Sequence, residues 1–121
     1  MSVLPVFIEL QKSPEVVAHL GTRIYQGIAP PNKIFPYAVW SGMGDTPSTN
    51  LDCRAQISQR YFQLVVFDTQ ATRAEIIRDA ILKSLPYPDC TDGDLIPDMD
   101  EMVGDLKIFG RGFDANWWFD R

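Results

Sequence analysis

The chain has 121 residues, 45% hydrophobic and 22% charged, values of a folded chain rather than a disordered one. That length suffices for one domain over residues 1–121 and is too short for two. The formal charge of −5 is uneven: residues 89–105 hold seven acids and no base, and the remainder is close to neutral, so the chain lacks an electrostatic grip on phosphate backbones and specific nucleic-acid binding is not expected.

From the N-terminus, residues 3–12 suit a short helix with Leu4, Phe7, Ile8 and Leu10 turned inward. Glu9 and Lys12 interrupt the apolar residues, so no signal peptide is expected, and no run of 18 apolar residues suits a membrane span. Ser13-Pro14-Glu15 restarts a helix over about residues 14–20: Ser at the N-cap, Pro at the first position, an acid in the first turn. Gly21 suits the left-handed position that ends it, and His19 in its last turn suits the helix dipole. Thr22–Gln26 reads as a short strand, and Ala29-Pro-Pro-Asn-Lys33 as a turn-rich connector. Pro36–Met43 reads as a second strand with proline at its first residue, followed by a polar loop over residues 44–52.

A third strand is expected from about Arg54 to Phe67. Fourteen residues at about 3.3 Å each would span some 46 Å, well beyond the usual strand. Its first half, with Arg54, Gln56, Ser58 and Arg60 on one parity, is too polar for a core. That half and its partner strand therefore form either an arm projecting from the body or a hairpin lying along it. Its second half is apolar: Phe62, Leu64 and Val66 share one face. The period then changes to helical, with Ala74, Ile77, Ala80, Ile81 and Leu85 in one stripe and Arg73, Arg78, Asp79 and Lys83 turned to water. Thr72 and Glu75 have capping-box spacing, with Thr69 as a rival N-cap, and Pro86 stops the helix. Residues 86–94 read as turn material leading into the acidic segment. Two last strands are expected, Asp105–Phe109 and Phe113–Asp120, joined by a turn or bulge at Gly110-Arg111-Gly112. Trp117, Trp118 and Phe119 are consecutive, so large aromatics occupy both faces of the last strand, a type enriched at interfaces.

Chemistry is hard to place. His19 is the only histidine, Cys53 and Cys90 fall in expected loops and read as free thiols, with a single disulfide as the alternative, and neither CxxC, P-loop, Gly-x-Gly-x-x-Gly nor Gly-x-Ser-x-Gly occurs. Asp89-x-x-Asp92-Gly-Asp94 fails the spacing of a calcium loop. No cofactor, no metal and no catalysis is expected.

The order Gly21-Thr-Arg-Ile-Tyr25, Ala29-Pro30, Phe35-Pro-Tyr-Ala-Val39, Gln63-Leu-Val-Val-Phe67 and Ala74–Leu82 resembles the small tail-completion, or tail-terminator, proteins of long-tailed bacteriophages and prophages. The resemblance covers residues 15–85 and fades after residue 86. It implies an α/β subunit that closes into a ring, typically hexameric, which caps the tail tube, stops its polymerisation and meets the head connector. The implied partners are copies of itself, the tail tube protein and the head completion or connector protein. The implied location is the virion tail, assembled in the host cytoplasm, with DNA passing through the ring. Elements and resemblance together predict an α+β fold: a mostly antiparallel sheet of four to five strands against two or three helices, with a long projecting hairpin. Candidate subunit or tail contacts are Tyr37, Trp40, Arg54, Gln56, Arg60, Trp117 and Trp118. Candidate lumen acids are Asp92, Asp94 and Asp98, placed to repel passing DNA. The alternatives are a small non-enzymatic domain that binds a ligand or peptide and, more remotely, a hydrolase pairing the acids with a divalent metal.

Overall fold

The computed structural model describes the backbone of residues 4–50, 53–87 and 89–120, and their side chains except for 43–50, 53–58, 119 and 120. The elements run α1 (Val6–Gln11), α2 (Pro14–Leu20), β1 (Ile24–Gln26), β2 (Tyr37–Asn50), β3 (Cys53–Asp68), α3 (Ala71–Ser84), β4 (Cys90–Leu95), β5 (Met99–Val103) and β6 (Leu106–Asp120). This is the expected α+β class, with three helices and, among the described residues, six strands where four to five are expected. The sheet order is β1-β2-β3-β6-β4, with β5 also on β6, and every pairing is antiparallel except β1 with β2.

The core lies between one face of this sheet and the helices. Phe62, Leu64 and Val66 of β3, on the parity the sequence predicts, are fully buried. Their cross-strand partners continue the layer: Gly42, Trp40 and Ala38 on β2, and Ala115, Phe113 and Arg111 on β6. Ala74, Ile77, Ala80 and Ile81 of α3 close over it, and Leu85 packs at its margin. Phe62 is the hub of the aromatic contacts, with ring centroids 6.4 Å from Trp40, 6.4 Å from Phe113 and 6.2 Å from Trp117.

The start of α2 is built as its sequence implies: the Ser13 hydroxyl accepts from the Val16 amide and Pro14 opens the helix. Gly21, at φ 56°, ends it. Arg23 then donates to the carbonyls of His19 and Pro36, tying that helix end to the start of β2.

Several expectations are corrected. α1 buries Val6 and Leu10, with Leu4 buried just before it, while Phe7 and Ile8 are 39% and 63% exposed, because the six-residue helix rolls its other side onto the core. Residues 44–50 are strand rather than polar loop, paired from Gly44↔Tyr61 to Ser48↔Ile57 and, past a register shift, at Asn50↔Cys53. α3 has Gln70 at its N-cap without a side-chain cap, so neither the Thr72–Glu75 box nor Thr69 caps it. Buried Asp68, just before the helix, accepts from the Thr69 amide at 2.7 Å and ties down the Arg73 guanidinium of the first turn at 2.6 Å. The acidic segment is two strands, β4 and β5, both laid along β6. The two expected C-terminal strands are one, β6, which runs straight through Gly110-Arg111-Gly112. Those glycines serve close approach rather than a turn: a Cβ on Gly112 would stand 2.5 Å from the Leu64 carbonyl oxygen, and one on Gly110 3.0 Å from Met99.

Candidate interaction surface

The predicted contact residues separate into inner and outer groups. Tyr37, Trp40 and Trp117 are buried within the chain. Trp40 and Trp117 belong to the core, while Tyr37 sits on the opposite sheet face, stacked on Phe67 at 5.3 Å and flanked by Phe35 and Tyr25. Burial, and then the negative charge of Glu101, push the Tyr37 phenol above its ordinary pKa. Trp118 is 38% exposed, its indole N–H donating to the Thr91 hydroxyl at 3.4 Å. The consecutive tryptophans thus face opposite ways, one covered by the helices and one turned outward. Arg60 is half-buried, opposite Trp117. The side chains of Arg54 and Gln56 lie outside the described residues.

The acids gather along one margin of the sheet. Asp92 and Asp94 are exposed on β4, and the Asp94 amide donates to the Asp114 carboxylate at 2.8 Å. Asp98 is drawn into a cluster missing from the sequence reading. Arg111, only 7% exposed, rises from β6 on the helix-covered face and bonds Asp100 of β5. Its Nε stands 3.4 Å from Asp98 and 3.5 Å from Glu75 of α3. The hydrogen bond to Asp100 and the three negative charges outweigh burial and raise the guanidinium pKa. One cation therefore fastens strand β5, the β4–β5 turn and the helix together. Its signal in the sequence was slight: a lone base between two glycines, just after the acid run.

β5 is exposed at all five residues, including Met99, Met102 and Val103, and Leu95 and Leu106 extend this apolar margin. At the other side of the sheet, Leu4, Phe7, Ile8, Ile24 and Trp40 line an open cleft of about 220 Å³. Cys90 is free and buried beside the core, its thiol pushed up to about 12 by burial and then by Asp92. Among the described residues, no three His, Cys, Asp or Glu side chains are grouped to hold a metal. Nor does any described helix have the length and apolarity to cross a membrane.

Two solved structures share the fold. A chain of the virion of a native gene transfer agent particle matches with a TM-score of 0.64 and 15% identity over 96% of this chain and 92% of its own. The bacteriophage SPP1 gp17 protein matches with a TM-score of 0.57 and 11% identity over 94% and 85%. No curated protein matches. The family model of the tail completion protein gp17 matches residues 5–96, from the start of α1 to the end of β4, and by that match the chain belongs to the tail completion protein gp17 family.

Proposed function

We propose that this chain is a structural, non-enzymatic protein of a phage tail that closes into a ring, hexameric by the family resemblance. The ring caps the tail tube, ends its polymerisation and joins the tail to the head connector. Its partners are then copies of itself, the tail tube protein and the head completion protein, met during assembly in the host cytoplasm. The observation that carries this reading is the tail-completion family match across residues 5–96. The β2–β3 hairpin supports it by its tip alone, because β6 pairs β3 from Ile57 to Asp68 and only residues 53–56 of β3 extend past that pairing.

Native mass spectrometry and sedimentation of the full chain across a wide concentration range test the ring, and addition of the chain to polymerising tail tube protein tests the cap. A closed oligomer and arrested tube growth are expected. A monomer at every concentration that leaves tube growth unchanged would refute the proposal. Within the ring, Asp92 and Asp94 line the lumen and repel passing DNA, while Asp98 is already engaged by Arg111. Their neutralisation to asparagine is expected to increase DNA retention at low salt, and unchanged retention would remove them from the lumen. The cleft beside Trp40 favours a second reading, a domain binding an apolar peptide or ligand. Saturable binding of such a peptide by a chain that never oligomerises would establish it instead.

A further inference from the structure

The sheet ends on both sides in backbone without a neighbour among the described residues. On one side, β1 pairs only Ala38, Val39 and Trp40 of β2, so the edge from Ser41 to Asn50 is uncovered. On the other, β4 and β5 follow one another along a single edge of β6, opposite residues between Leu106 and Trp117, and their outer edge is uncovered. At about 3.4 Å per residue, both edges are roughly 35–40 Å long.

The two edges differ in charge. β4, β5 and their turn carry Asp92, Asp94, Asp98, Asp100 and Glu101 and no base. Residues 41–50 of β2 carry one acid, Asp45, and the strand returning beside them brings Arg54 and Arg60. An exposed edge bearing Met99, Met102 and Val103 invites pairing. Pairing with the same edge of a second copy would set two acidic rows side by side, which like-charge repulsion opposes. The β2 edge, with a single acid, meets far less opposition.

We infer that the uncovered edge of β2 in one copy adds to the β4–β5 edge of the next, so that one sheet continues across the subunit boundary. The contact joins two different surfaces, so its repetition closes a ring or runs on as a filament. Arg111 holds the receiving edge in place through Asp98 and Asp100. The inference rests on the ring reading and names the surfaces that such a ring would use.

The test combines Thr46→Cys and Met102→Cys in one chain on a Cys53→Ser background, oxidised at concentrations where native mass spectrometry shows the oligomer. A ladder of disulfide-linked multimers ending at the oligomer mass is expected, and linked dimers alone when the two single variants are mixed. Hydrogen exchange on the unmodified chain provides a second measurement, with slower exchange expected at residues 41–46 and 99–103 in the oligomer than in the diluted monomer. Oligomers that form with neither ladder nor protection would overturn the edge pairing and leave the ring standing. A chain that stays monomeric would overturn both.

Discussion

Replacing Arg111 by methionine tests whether one buried cation organises the acidic margin. The side chain is 7% exposed, whereas Asp100, Glu75 and Asp98 are 48%, 50% and 57% exposed. At these separations and an effective dielectric of about 20, each charge pair is worth about 5 kcal/mol before desolvation. Stripping water from the guanidinium cancels much of that, and water can replace the cation at half-exposed carboxylates once it is gone. Exposed pairs contribute about 0–1 kcal/mol, and one-sided loss of a buried pair costs about 3–5 kcal/mol. The geometry lies between, so Arg111→Met should cost about 2 kcal/mol, or about 6–10 °C in Tm for a domain of this size. The loss has a signature that a packing defect lacks: the orphaned carboxylates repel one another through water, so 1 M salt should recover part of it. Adding Glu75→Gln to Arg111→Met should recover part as well. Thermal melts at low and high salt measure both. A loss below about 0.5 kcal/mol, or one that salt and Glu75→Gln leave unchanged, would refute the assigned role.

Gly112→Ala places a Cβ against the Leu64 carbonyl oxygen, a backbone atom that can move only with β3, so about 2–3 kcal/mol of destabilisation is expected in a denaturant titration. Phe62→Ala removes the ring shared by Trp40, Phe113 and Trp117 and should cost about 3–5 kcal/mol, with a changed tryptophan emission spectrum. Burial keeps Cys90 protonated in the folded chain up to about 12, while the unfolded thiol loses its proton near its ordinary value of 9.0. Between these values the unfolded state binds fewer protons, so this thiol makes stability fall as pH rises, by at most about 1.4 kcal/mol per pH unit. Relative to Cys90→Ala, the native chain should show that extra fall between pH 9 and 12, and the native thiol should resist alkylation at pH 8.

The β3–α3 unit was legible because two periods meet there within one short stretch. Alternation buries Phe62, Leu64 and Val66, and the helical repeat buries Ala74, Ile77 and Ile81. The α2 boundaries were legible because Ser13, Pro14 and Gly21 each have a local backbone reason for their place. α1 was misread because six residues hold too few turns for a period to separate Val6 and Leu10 from Phe7 and Ile8. The β2 extension was missed because its residues lack apolar alternation: pairing at 44–50 is carried by backbone register against β3, which side-chain pattern does not encode. Of the candidate contacts, the outward Trp118 followed from parity, whereas parity alone could not reveal that helices cover Trp117.

The hardest part to read was also the most central in space. Gly110-Arg111-Gly112 looks like a turn because glycine is commonest where φ is positive, yet neither glycine has positive φ here. Both are small because other groups need the volume: the Leu64 carbonyl and Val65 at Gly112, and Phe67 and Met99 at Gly110. Arg111 between them points the other way, into the layer that holds Val66 and α3. Thus one three-residue run allows close approach on one face and supplies the cation on the other, and it keeps β6 continuous between β3 and the acidic edge. The family match ends at residue 96, but the strand after it supplies Phe113, Ala115 and Trp117 to the core. Residues 106–120 thereby supply β3 with its inner neighbour and complete the core of the matched region.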